Sequence, residues 1–218
     1  MPATIAQALS DARHYVSDID ARLLLQQALQ VSPAFLAAYS DEFVNAEKLA
    51  YFYSLLKRRI NGEPIAYIIG QREFYDLVFH VTPAVLIPRP ETETLVELAL
   101  ASIPVDRDYT ILDLGTGSGA IALTLAKHRP LAQVIAVDSS AEALEVAHIN
   151  ARLLEIGNVH FILGDWFEGI VGQYNLIVSN PPYVAIGDPH LSQGDLRFEP
   201  QVALSAADDG IACIRTII

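Results

Sequence analysis

The stretch Val178-Ser179-Asn180-Pro181-Pro182-Tyr183-Val184 carries residues unsuited to a plain strand end. An apolar run, Leu176-Ile177-Val178, leads into an amide, two residues without an N–H, and an aromatic ring. The Asn180 side-chain oxygen accepts hydrogen bonds. Pro181 offers a backbone carbonyl with no N–H beside it. Two acceptors on a stiff support match a planar –NH₂ group, and Tyr183 can stack on that plane. Nitrogen conjugated to a carbonyl or a ring is a poor nucleophile because its lone pair is delocalised. Fixed acceptors can bind both hydrogens while the lone pair is aimed at an electrophile. Those bonds strengthen as the nitrogen gains positive charge, so they favour the transition state. A proline-rich turn alone explains neither Asn180 nor Tyr183.

A second constellation lies upstream, in Asp113-Leu114-Gly115-Thr116-Gly117-Ser118-Gly119. Gly115, Gly117 and Gly119 let the backbone turn sharply from strand to helix and let a ligand lie on the main chain. A ligand there is expected to meet free N–H groups at the positive end of a helix. Gly115, Gly117 and Ala120 fit the dinucleotide pattern, and Asp138 stands where an acid meets ribose hydroxyls. S-adenosylmethionine fits equally, with Asp113 facing its ammonium and Asp138 its ribose, so the turn alone does not separate the two. Asp165 can accept from an adenine amino group, with Trp166 or Phe167 beside the ring. The Asn180 loop decides between them. A sulfonium methyl suits an aimed amide nitrogen, and a nicotinamide hydride does not.

These residues need a scaffold that brings them together. From Thr110 on, apolar runs alternate with helical patterns, which indicates a parallel, doubly wound sheet. The expected strands are YTILDLG, AQVIAVD, NVHFILGD and YNLIVSN; the helices are Ser118 to His128 and a longer one ended by Gly157. Asp113, Asp138, Asp165 and Asn180 each close a different strand, and in such a sheet the carboxyl ends share one crevice. Upstream, residues 1–69 read as a small helical bundle. Thr4 and the pair Ser32-Pro33 open helices, Asp20 precedes a third, and Asn45 opens a fourth with Leu49, Phe52, Tyr53, Leu56 and Ile60 on one face. Residues 70–90 read as a hairpin about Tyr75-Asp76 and a linker, and 91–218 as the ligand-binding domain. Pro88 and Pro90 hold Arg89 extended ahead of a capped helix entrance.

Bulk properties narrow the partners. Acidic residues outnumber basic ones 26 to 14, for a net charge of −12, which opposes a general grip on nucleic acid. The single cysteine, Cys213, excludes disulfide frameworks within the chain and fits a reducing compartment. No charged-then-apolar leader or long apolar run occurs, so a soluble, cytoplasmic protein without membrane contact is expected. His14, His80, His128, His148, His160 and His190 are scattered without metal-ligand spacing, so no metal is expected; His190 is placed to line the crevice.

The chain resembles the amino-methylating class I methyltransferases, and among them the protein-(glutamine-N5) methyltransferases of the PrmC/HemK family. The resemblance rests on DIDARLLL, GQREFY, LIPRPETE, DLGTGSG, GDWF, NPPY and RFEPQVAL, and covers nearly the whole chain. It implies a Rossmann-like α/β sheet behind a helical domain. It also implies methylation of the glutamine in the GGQ motif of peptide chain release factors, with S-adenosylhomocysteine as co-product. By that resemblance Gly115, Thr116, Gly117, Ser118, Gly119, Asp138 and Trp166 hold the donor, and Asn180, Pro181, Pro182 and Tyr183 hold the glutamine amide. The N-terminal helices would bind the release factor. Family members continue beyond Ile218, so the last sheet strands are expected to be missing here. Neighbouring readings are a ribosomal-protein glutamine methyltransferase, an N6-adenine methyltransferase of DNA or RNA, and an NAD(P)-dependent oxidoreductase.

Overall fold

The computed structural model describes residues 3–218 and forms two compact units, one ending at Ile69 and one running from Gly70 to Ile218. Residues 1 and 2, which open the expected helical domain, lie outside the described residues.

The first unit contains α1 (Ile5–Ala12), α2 (Asp18–Leu29), α3 (Pro33–Ala38), α4 (Ala46–Ile60) and α5 (Ile65–Ile69). Thr4, Ser32 and Asn45 cap the helices they were expected to open. The second helix starts earlier than Asp20, because Ser17 accepts the Asp20 N–H at 3.1 Å and caps it. Leu24, Leu25, Phe52 and Leu55 form the buried centre, each such side chain contributing about 2 kcal/mol of apolar transfer. Leu49, Phe52 and Leu56 face inward as expected, but Tyr53 and Ile60 are exposed. Tyr53 instead donates its hydroxyl to Asp11 at 3.3 Å on the rim, and Leu55 takes the inward place.

The second unit begins with the antiparallel hairpin of β1 (Gln71–Phe74) and β2 (Leu77–His80), turned by Tyr75 at φ 57° and Asp76. A 3-10 turn at Pro90–Thr92 leads into α6 (Glu93–Ser102). The central sheet follows: β3 (Tyr109–Leu114), α7 (Ala120–His128), β4 (Ala132–Asp138), α8 (Ala141–Leu153), β5 (Val159–Leu163) and β6 (Leu176–Ser179). Its order is β5-β4-β3-β6, all parallel. β3 is central, so Ile111, Leu112 and Leu114 are covered on both faces, which is why that strand reads as continuously apolar. The order reverses at β3, with β4 on one side and β6 on the other. That is where such sheets open a crevice at their carboxyl ends.

Two local expectations are corrected. α7 starts at Ala120 rather than Ser118, because Gly119 is left-handed at φ 81°. α8 stops at Leu153, and Glu155 at φ 57° makes the reversal expected of Gly157; the Ile156 N–H reaches back to the Ala151 carbonyl at 2.9 Å. The β5–β6 connection contains no helix; Ile170 and Tyr174 pack from it onto Leu112, Leu114 and Val137. The chain then forms a short parallel ladder of β7 (Val184–Ala185) with β8 (Ser205–Ala206), between which lies α9 (Gln201–Leu204), and ends in α10 (Ala212–Ile217). No helix among the described residues is long and apolar enough to cross a membrane.

Candidate active site

The strand ends are stitched together by the backbone. The N–H groups of Gly115 and Thr116 both donate to the Val137 carbonyl at 2.9 Å, and Gly164 donates to the Asp138 carbonyl at 3.0 Å. The Ser179 hydroxyl donates to the Leu114 carbonyl at 2.8 Å. One cavity opens over these ends. Its walls include Gly115, Thr116, Gly117 and Ser118 of the turn, Asp138 at the end of β4, Asp165 and Trp166 after β5, and Asn180 and Pro182 after β6. Asp113, Gly119, Pro181, Tyr183, Phe167 and His190 are not on its wall.

The turn is less open than its glycines suggest. Besides the two amides on Val137, the Gly117 N–H is taken by an Asp138 carboxylate oxygen at 2.7 Å and the Gly119 N–H by the Thr116 carbonyl at 2.9 Å. Among the described residues, only the Ser118 N–H of this turn has no partner in the chain. Within the turn itself, the expected row of free amides is thus reduced to that of Ser118, just ahead of α7. Gly119 also sits where a Cβ would lie 2.9 Å from Leu123 Cδ1, so the turn packs tightly on its own helix.

Asp138 accepts from Gly117 with one oxygen and from the Ser140 N–H with the other, at 2.9 Å. A carboxylate has about four acceptor sites, so capacity remains for a ligand hydroxyl. Burial pushes its pKa upward, and the amides of Ser140, Gly117 and Ser139 oppose that rise. Trp166 adopts φ 49°, a left-handed conformation uncommon for so bulky a residue. Its ring stands against the glycine turn, with Cζ3 3.8 Å from where a Cβ on Gly115 would be. It also packs on the Leu112–Leu114–Val137 cluster, so it is both core and cavity wall.

Asp113 does not line the cavity and is completely buried. Thr116 donates its hydroxyl to one Asp113 oxygen at 2.7 Å, and among the described residues no group meets hydrogen-bond geometry at the other oxygen. Burial pushes Asp113 up to about 7; the Thr116 hydroxyl works against this, and the neighbouring Asp138 charge adds to it. Asp113 therefore braces the turn from behind. The sign of its pH effect follows. Between about pH 4 and pH 7 the unfolded chain releases this proton and the folded chain keeps it, so the contribution to stability falls as pH rises through that window. Asp113→Asn is expected to gain on the native chain by a few kcal/mol between pH 5 and pH 8, measured as the difference in chemical-denaturation stability of the two proteins at each pH.

Several site residues escaped the sequence reading. Arg89 and Thr92 from the entrance, Phe74 from the hairpin, and Ser205 and Cys213 from the C-terminal segment complete the cavity. Glu199 is buried and accepts from the Ile87 N–H at 3.0 Å and from the Arg89 guanidinium, tying the entrance to the segment after NPPY. Buried Asn150 on α8 accepts the His80 N–H at 2.7 Å and donates to the carbonyls of His80 and Ser118, at 3.0 and 2.9 Å. It thereby joins the hairpin to the glycine turn. A polar residue on the apolar stripe of Ala143 and Ala147 was the available signal. Asn180 donates through Nδ2 to Thr92 Oγ1 at 3.4 Å, and its Oδ1 accepts nothing from the described residues.

The NPPY loop depends on a distant glycine. A Cβ on Gly210, at φ 91°, would lie 2.3 Å from the Tyr183 carbonyl oxygen. Gly210→Ala is expected to displace this loop and lower turnover at least about 10-fold, with the fold retained by circular dichroism.

Comparison with known proteins places these features in context. The Methyltransferase small domain family matches residues 92–193, and the PrmC N-terminal domain family matches residues 3–70. The chain is 50% identical over 200 residues to the release factor glutamine methyltransferase of Escherichia coli (strain K12), covering 91% of this chain and 72% of that protein. It is 47% identical over 218 residues to the protein of that name from Xylella fastidiosa (strain 9a5c), covering 100% of this chain and 79% of that one. The same name belongs to a Burkholderia pseudomallei (strain K96243) protein 47% identical over 224 residues, with 100% and 78% covered.

Proposed function

This chain belongs to the release factor glutamine methyltransferase family, and from that premise we propose how its residues perform the reaction. The enzyme transfers a methyl group from S-adenosylmethionine to a glutamine of a release factor; the glutamine is that of the GGQ motif, and the atom methylated is its side-chain nitrogen. The observation that carries the reading is the meeting of two unlike sites on one cavity. Asp138 and the Ser118 amide offer contacts for a donor, and the uncommitted Asn180 oxygen offers one for an amide.

The donor, when bound, supplies an electrophilic methyl on a sulfonium. The Ser118 N–H and the start of α7 hold its carboxylate. Asp138 accepts from its ribose hydroxyls with the capacity its two backbone bonds leave free. Asp165 and Trp166 border its adenine. Asn180 Oδ1, on the cavity wall, then takes one hydrogen of the substrate carboxamide, and the Pro181 carbonyl, between the wall residues Asn180 and Pro182, takes the other once the substrate has entered. As the N–CH3 bond forms at the expense of the S–CH3 bond, leaving S-adenosylhomocysteine, both hydrogen bonds strengthen on a nitrogen that becomes tetrahedral and positive; the surplus proton then passes to water, so no strong base is needed. Pro182 walls the slot, and Tyr183, at 64% exposure, stands where an arriving peptide loop would cover it. The N-terminal unit binds the body of the release factor and delivers the loop.

The test uses purified chain, S-adenosylmethionine and three acceptors. One added methyl on the glutamine of a release factor, with none on ribosomal proteins or duplex DNA, is the expected result by mass spectrometry. Modification of ribosomal protein alone would transfer the assignment to the sister activity.

A further inference from the structure

We propose that Thr92 is a positioning residue that sets the pose of Asn180. The inference rests on the role given above to Asn180 as the acceptor of the substrate amide.

Among the described residues the Asn180 side chain has one partner, the Thr92 hydroxyl at 3.4 Å from Nδ2. The terminal torsion of an asparagine is broad and shallow, so a residue on a loop after a strand needs an anchor to hold one pose. Thr92 is well built for that purpose. Its β-branched side chain is stiff about its first torsion. It ends the 3-10 turn Pro90–Thr92, and its own N–H is bonded to the Arg89 carbonyl at 3.0 Å. Pro90 fixes the turn from within, and Arg89 is gripped by buried Glu199. The hydroxyl therefore stands on a support fastened from two directions, and it lines the same cavity as Asn180. A 3.4 Å separation is long for such a bond, and contacts of this kind shorten when the reactants close the site.

Pinning the nitrogen end of the Asn180 amide leaves the oxygen end for the substrate. An oxygen so held accepts from a carboxamide –NH₂ and repels a carboxylate. Thr92 thus contributes, through Asn180, to the choice of glutamine over glutamate. A misplacement of about 1 Å at such a contact costs up to about 100-fold in rate, so loss of the anchor falls within reach of steady-state kinetics.

The experiment compares the full chain with Thr92→Val, Thr92→Ser, Asn180→Ala and the double variant Thr92→Val/Asn180→Ala, using S-adenosylmethionine and intact release factor. Valine matches the shape of threonine and lacks its hydroxyl. The expected result is a fall in kcat of about 10-fold for Thr92→Val, with the donor Kd within about 2-fold, and recovery of most of the loss by Thr92→Ser. In the Asn180→Ala background Thr92→Val adds less than about 2-fold, because residues acting through one contact are not additive. A Thr92→Val enzyme with native kcat, beside an impaired Asn180→Ala enzyme, overturns the positioning role alone. An undiminished loss from Thr92→Val in the Asn180→Ala background also overturns it, since the hydroxyl then acts elsewhere. Native turnover by Asn180→Ala removes the underlying assignment, and this inference with it.

Discussion

Asn180→Ala is expected to lower methyl transfer to release factor by about 10³-fold while the donor binds with near-native affinity. The size follows from what is lost. One preorganised acceptor on the reacting nitrogen disappears, and removing one such group from a charge-developing site typically costs that much. The selectivity follows from geometry. The Asn180 side chain makes one long bond to Thr92, while the contacts assigned to the donor lie on the glycine turn, Asp138 and Trp166. Equilibrium binding of labelled S-adenosylmethionine and single-turnover transfer to release factor separate the two effects. Unchanged single-turnover rates would remove Asn180 from the mechanism; a matching collapse of donor affinity would make it a donor ligand first.

Glu199→Ala carries the largest expected cost to the fold. The Glu199 carboxylate is wholly buried, with one oxygen on the Ile87 N–H and the other on the Arg89 guanidinium. Alanine leaves a buried amide without an acceptor and a half-buried cation without its partner. Breaking a buried pair from one side typically costs 3–5 kcal/mol, and the 35% exposure of Arg89 places this case near about 3 kcal/mol. For a unit of this size that is a fall of roughly 6–12 °C in melting temperature. Glu199→Gln retains an acceptor for Ile87 and is expected to lose less. Differential scanning calorimetry of the three proteins decides it, and equal melting points would show that the link between entrance and C-terminal segment is not stabilising.

What the sequence disclosed was whatever local spacing encodes. Continuous apolar runs announced β3 and β4, because strands covered on both faces have no polar side to show. Thr4, Ser32 and Asn45 announced helix starts through their side-chain oxygens. The convergence of Asp138, Asp165 and Asn180 followed from the rule that parallel strands end at one edge. What stayed hidden depends on pairings across long stretches of chain. Glu199 meets Arg89 from 110 positions away, and Asn150 meets His80 from 70. Nothing in PRPETE or HINARL alone identifies such partners. Asp113 looked like a ligand because it precedes the glycines, yet the alternation of side chains along β3 turns it to the opposite face from Leu112 and Leu114. Tyr183 and Pro181 belong to the recognised loop but stand off the cavity wall.

The prior commitment of the glycine-turn amides bears on inhibitor chemistry. Four of the five N–H groups from Gly115 to Gly119 are already spent on Val137, Asp138 and Thr116. A competitive analogue decorated with extra acceptors for this turn would find, among the five turn amides of the described residues, only that of Ser118 open to it, and would carry its remaining polarity at a desolvation loss. Flat heteroaromatic surface laid along Trp166, joined to an amide mimic reaching Asn180, is the more rewarding direction for synthesis.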